Sequence, residues 1–89
     1  MNMFSVYVIQ HSVTKQIYIG KTNDLKRRID EHNANKQTAT KRKCGQWILV
    51  YAEAYRSKYD ADIRETKLKQ HGSNKRWLKQ RIKNSLLED

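Results

Sequence analysis

The sequence predicts an α/β fold of the α+β type: a small, three-stranded, mainly antiparallel sheet flanked by helices, in the order β-β-α-β-α-α. Three observations predict it. Phe4, Val6 and Val8 alternate with Ser5, Tyr7 and Ile9, and the polar stretch His11-Ser12-Val13-Thr14-Lys15 then leads into Gln16-Ile17-Tyr18-Ile19-Gly20, which is the spacing of a β-hairpin. Trp47-Ile48-Leu49-Val50-Tyr51-Ala52 is aromatic and β-branched and makes the strongest strand of the chain. The remaining apolar residues recur at helical spacing, as at Leu25 and Ile29, Ala61 and Leu68, and Trp77, Leu78, Ile82 and Leu86. No proline, repeat or linker interrupts this order, so residues 1–89 read as one domain.

Each element has its own signals. By the strand period of two, Ile17 and Ile19 share one face while Tyr18 and Gly20 share the other, and Tyr7 opposes Val6 and Val8. The two tyrosines can therefore meet on one sheet face. Thr22-Asn23-Asp24 starts a helix, with Asn23 or Thr22 as cap and Asp24 in the first turn, where a negative side chain complements the helix dipole. That helix should run to about Asn35, with Leu25 and Ile29 on its buried side and Arg28 and His32 paired at i, i+4 on the adjoining flank. Asn33 to Gly45 reads as a polar surface loop with some helix, and its Lys41-Arg42-Lys43 run is either a solvated charge run or a phosphate contact. The Trp47 strand, continuing towards Tyr55, should be central or well covered. Ser57 followed by Asp60 resembles a capping box and opens a helix to about Gln70, which His71-Gly72 ends. The last helix, Asn74 to Leu87, should turn Trp77, Leu78, Ile82 and Leu86 towards the core.

Composition narrows the partners. A chain of 89 residues can bury only about 60 to 65% of its unfolded surface, so the core is thin. Only 37% of residues are hydrophobic and the mean hydropathy is -1.00, but the apolar residues come in ordered bursts, which is the pattern of a folded domain. No apolar run approaches the ~20 residues of a membrane span, and no signal-peptide pattern is present, so a soluble, intracellular, cytoplasmic protein is expected. Cys44 is the only cysteine, which leaves no disulfide framework and no thiolate zinc site. Nineteen Lys plus Arg against nine Asp plus Glu give a formal net charge of +10, and such charge is best matched by a polyanion through phosphate neutralisation and counterion release.

One carboxylate stands out. Ala61, Glu65 and Leu68 fall at i, i+4 and i+7, so Glu65 interrupts an apolar stripe, where burial of an unpaired charge costs several kcal/mol. It must meet a cation, a metal or strong donors. A salt bridge to one of the many basic residues would satisfy it as well as a metal would, just as Tyr7 and Tyr18 could be sheet aromatics and Arg28 and His32 ordinary helix-surface residues.

The ordered combination of Tyr7, Tyr18-Ile19-Gly20, Lys21, Leu25, Arg28 and His32, with a downstream helix bearing Ala61, Glu65 and Leu68, resembles the GIY-YIG nuclease domain. The resemblance runs from Val6 to about Ile82 and suggests a stand-alone version of the domain; Ser5-Val6-Tyr7 replaces Gly-Ile-Tyr but keeps the tyrosine. It implies that Tyr7, Tyr18, Arg28, His32 and Glu65 are catalytic. Glu65 would be the sole protein ligand of one Mg²⁺ or Mn²⁺, with water and phosphate oxygens completing the shell. Arg28 would grip the scissile phosphate through its planar fork, and Tyr7 or Tyr18 would help to deprotonate the attacking water, with His32 positioning or sharing that proton. Gly20 would let the backbone approach the site, and Lys21, Lys41, Arg42 and Lys43 would add substrate contacts. The expected function is a metal-dependent DNA endonuclease that nicks structure-selectively in repair, recombination or mobile-element processing, as a monomer or weak dimer, on DNA that could be branched or single-stranded, or on RNA. The alternatives are a nucleic-acid-binding protein of the same fold that cuts poorly or not at all, and a small ribosome-associated basic protein.

Overall fold

A computed structural model describes residues 3–39, 45–70 and 72–87. Its elements are β1 (Phe4–His11), β2 (Ile17–Thr22), α1 (Leu25–Ala39), β3 (Trp47–Tyr55), α2 (Lys58–Lys69) and α3 (Gly72–Arg81). The three strands form one antiparallel sheet in the order β2-β1-β3. This is the predicted architecture, with one exchange of place. β1 is the central strand and is buried from Val6 to His11, whereas β3, expected to be central or well covered, lies at an edge, with most of its residues half-buried and Leu49 exposed. Hydrophobicity marked β3 as a strand, but only chain connectivity and pairing decide which strand receives neighbours on both sides.

The register sorts the side chains onto two faces. Tyr7 pairs with Gly20 and Ala52, and Ile9 pairs with Tyr18 and Leu49, so these residues share a face. Val6, Val8 and Ile19 take the other, where they form the core with Ala61 and Leu68 of α2, Leu78 of α3 and Ile82 just beyond it. Each fully buried Val, Leu or Ile side chain of this set contributes about 1.5–3 kcal/mol of transfer free energy. A register shift between Val8 and Ile9 lets the β3 alternation carry Trp47 onto the Tyr7 face beside His11. The hairpin turn is closed by His11, whose Nδ1 accepts the Val13 and Thr14 amides at 3.2 Å.

Helix boundaries differ from the sequence reading for local reasons. Asp24 is the cap of α1 rather than a first-turn residue: its Oδ1 accepts the Arg27 amide at 3.2 Å, and Thr22 Oγ1 in turn accepts the Asp24 amide at 3.0 Å. The helix extends beyond Asn35 to Ala39, so much of the expected loop is helical, and Leu25 and Ile29 are half-buried. Ser57 caps α2 as predicted, accepting the Tyr59 and Asp60 amides. Gly72 does not terminate α2; it is the first residue of α3, which ends at Arg81, short of Leu87. Leu78 and Ile82 are buried, but Trp77, expected to share their face, is 47% exposed. The chain after α3 is tied back to β1 by the Leu87 amide, which donates to the Gln10 side chain at 2.7 Å. Among the described residues no helix is long and apolar enough to cross a membrane.

Candidate active site

The Tyr7 face of the sheet would be bare without α1, and one side chain docks that helix. Asn33 on α1 accepts the Trp47 amide at 2.7 Å and donates to the Trp47 carbonyl at 3.3 Å, satisfying both polar groups of the first residue of β3. The neighbouring His32 is thereby held over the tyrosines. Its Nε2 lies 3.0 Å from the Tyr7 hydroxyl, and its ring stands edge-on to Tyr18 with centroids 4.7 Å apart. Tyr7 and Tyr18 themselves lie 6.3 Å apart, as expected from the strand period.

Gly20 explains how Tyr7 fits. A Cβ on Gly20 would fall 2.4 Å from the Tyr7 hydroxyl oxygen and 2.5 Å from Cζ, so the glycine is the floor on which the Tyr7 ring lies. The missing side chain lets the β2 backbone lie close against Tyr7 and Tyr18.

Arg28 emerges from α1 one turn before His32. Its proximity to Tyr7, to Glu31 and to Tyr18 holds its proton more firmly than in water, and its Nη1 donates to Glu31 at 3.0 Å. Tyr7 is fully buried, and burial pushes its phenol above the ordinary value, while Arg28 works in the opposite direction by favouring the phenolate. His32 is held below its ordinary value, first by burial and then by the Arg28 charge, so it is neutral at neutral pH. A protonated phenol and a neutral imidazole form a donor and acceptor pair across the 3.0 Å contact between the Tyr7 hydroxyl and His32 Nε2.

Glu65 approaches from α2 on the side of the β2 edge. Its charge reaches both Tyr7 and Lys21 electrostatically, and its Oε2 lies 3.0 Å from the Lys69 ammonium, which also stands 5.9 Å from the centroid of the Tyr18 ring. As the stripe argument required, this largely buried carboxylate has found a cation. The donor set fits a hard divalent ion: oxygen only, negative, and already accommodating positive charge. No group of three or more His, Cys, Asp or Glu side chains converges among the described residues, so an ion held here would have Glu65 as its one protein ligand.

The five residues singled out as catalytic thus come from four elements into one neighbourhood. Lys21 lies beside them but is engaged by Asp62 of α2, which also accepts from Lys58 at 3.2 Å. Asp62 and Asn33 are the site neighbours that sequence reasoning passed over. Nothing in their spacing announces a partner 41 or 14 residues away. Lys41, Arg42 and Lys43 lie outside the described residues.

Comparison with known proteins agrees with this geometry. The model of the GIY-YIG catalytic domain matches residues 3–83. Among solved structures, the chain is similar to the solution NMR structure of the UPF0213 protein BH0048 from Bacillus halodurans, with 30% identity, a TM-score of 0.54, and coverage of 93% of this chain and 86% of that one. No curated protein matches the sequence. A family match over nearly the whole chain, together with convergence of the motif residues on one site, places this protein in the GIY-YIG family of nucleases.

Proposed function

We propose that this protein is a metal-dependent endonuclease that hydrolyses a DNA phosphodiester, cutting one strand per active site. The observation that carries the reading is the Tyr7–His32 hydrogen bond of 3.0 Å, with Arg28 beside the same hydroxyl. In this reading the scissile phosphate competes with Glu31 for the Arg28 guanidinium, whose two parallel donors fix the phosphate in one orientation. The attacking water gives its proton to the Tyr7 oxygen as the oxygen–phosphorus bond forms, and Tyr7 passes its own proton to Nε2 of His32. Because the phenol rests protonated, His32 is the final acceptor and Tyr7 the relay. Tyr18 closes the other side of the imidazole and limits its rotation. Glu65 would hold Mg²⁺ or Mn²⁺, with the Lys69 ammonium giving way. Such an ion supplies neutralisation of the charge that develops on the leaving 3′ oxygen.

A domain of this size offers little surface for reading sequence, which favours recognition of nucleic-acid structure, as in repair or recombination intermediates. The test is incubation of wild type and Glu65→Gln with labelled duplexes, flaps, bubbles and single strands in Mg²⁺, Mn²⁺ or EDTA. Cleavage should require the metal and Glu65, while binding survives the substitution. Cleavage in EDTA, or a Glu65→Gln variant within a few-fold of wild type, would remove Glu65 from the mechanism. Binding without cleavage under every condition would leave a nucleic-acid-binding protein of nuclease ancestry.

A further inference from the structure

The exposed Trp77 is left unused by the candidate active site, and its surroundings are organised. Arg64 of α2 lies 5.5 Å from the centroid of the indole and Arg81 at the end of α3 lies 5.6 Å from it. The two arginines differ in freedom. Arg64 is clamped, its Nε and Nη2 donating to the two Glu53 carboxylate oxygens at 2.8 and 3.0 Å, while Glu53 also accepts the Tyr51 and Tyr55 hydroxyls at 2.5 Å. Arg81 is exposed and its charge acts on the Tyr51 phenol; among the described residues no carboxylate forms a salt bridge with it. Arg76, Gln80 and Arg81 line a shallow open groove with the Trp77 ring.

We propose that Trp77, backed by the clamped Arg64 and flanked by Arg76 and Arg81, is a stacking platform for an unpaired base of single-stranded nucleic acid. An indole half open to water within a basic surface is costly as a structural group, because Leu78 and Ile82 already bury this helix. It is apt for a polyanion that carries aromatic rings. A base on the indole face gains stacking without demanding a sequence, and Arg81 can exchange its cation–π contact for the adjoining phosphate. A rigid duplex keeps its base faces covered and gains only the charge term.

The platform lies away from the tyrosines. Glu53 pairs with Val6 and so belongs to the core face of the sheet, on β3, whereas Tyr7 faces the other way and Glu65 lies towards β2. A strand held at Trp77 is therefore a segment distinct from the one at the candidate active site, and a nucleic acid with an unpaired arm could occupy both. The inference concerns binding and stands independently of cleavage.

The test is binding in EDTA, which separates it from the nuclease reading. In a Trp47→Phe variant Trp77 is the sole tryptophan, and its emission is read with excitation at the red edge of the indole band, where the five tyrosines do not absorb. Oligothymidine and oligouridine should quench its emission, and an abasic oligonucleotide of equal charge should not. Trp77→Ala should weaken single-strand binding about five- to hundred-fold while duplex binding changes by less than about two-fold, and Trp77→Phe should retain most of the affinity. Equal quenching by abasic and base-bearing strands would overturn the proposal. So would equal single-strand affinity of wild type and Trp77→Ala; if that variant does not fold, the quenching comparison decides.

Discussion

Gly20→Ala isolates the packing that places the Tyr7–His32 pair. The added methyl would lie 2.4 Å from the Tyr7 hydroxyl oxygen, 2.5 Å from Cζ and 3.0 Å from Tyr18 Cε2, all inside van der Waals contact. Tyr7 has no room to retreat, since its ring is fully buried and its hydroxyl is bonded to His32. The Gly20 backbone is not left-handed, so conformational strain adds nothing and the penalty is steric. Overpacking of this kind costs about 1–3 kcal/mol. At a midpoint of about 2 kcal/mol, the melting temperature of a domain this small should fall by roughly 8–16 °C. Displacing the Tyr7 hydroxyl by the order of 1 Å should also lower cleavage by about 10²-fold. Thermal unfolding in three backgrounds tests the cause. In Tyr7→Phe the penalty should persist, because Cζ remains. In Tyr7→Leu, which has no atom at either position, it should vanish and give a coupling of about 0.5–3 kcal/mol. A Gly20→Ala protein within about 0.5 kcal/mol of wild type, or an equal loss in all three backgrounds, would refute the argument.

The other expectations concern charge. Burial disfavours ionisation of Glu53, but hydrogen bonds from Arg64, Tyr51 and Tyr55 outweigh it and bring its carboxyl down from 4.5 to about 2. Its stabilisation should be complete above pH 4.5 and fade as pH falls towards 2; urea unfolding should register a loss of about 2 kcal/mol after discount for its partial exposure, absent in Glu53→Gln. For His32 the depressed value means that protonation opposes the native state. Its stability contribution is whole above the ordinary value of 6.5 and declines below it, and the acid limb of a cleavage pH profile should likewise lie below 6.5 and disappear as a feature in His32→Gln. Arg28→Lys should damage cleavage nearly as much as Arg28→Ala, because a point charge cannot reproduce a planar fork, while Lys26→Ala and Arg27→Ala on the same helix leave it near wild type; equal losses at all three would mean that only bulk charge matters. Asp62→Asn should release Lys21 for phosphate, steepening the salt dependence of DNA binding by about one unit of log–log slope; an unchanged slope would show that Lys21 does not reach the nucleic acid.

The hairpin, the third strand, three helices and the Ser57 cap were legible from periodicity and capping chemistry, because each depends on neighbours a few residues away. The shared face of Tyr7 and Tyr18 was equally legible, since a strand alternates whatever it is packed against. The spacing of Arg28 and His32 on one helix flank, and of Glu65 on the Ala61–Leu68 stripe, carried the resemblance to the family that the chain belongs to. Tertiary structure decided the rest. It placed β1 rather than β3 at the centre, turned Trp77 outwards because Leu78 and Ile82 fill the space beneath α3, and docked α1 through Asn33. It also engaged Lys21 with Asp62, laid Tyr7 on Gly20, and set the phenol protonated and the imidazole neutral. These outcomes depend on burial and on contacts between residues far apart in the chain, and a local pattern carries no information about which distant side chain will fill a space or share a charge.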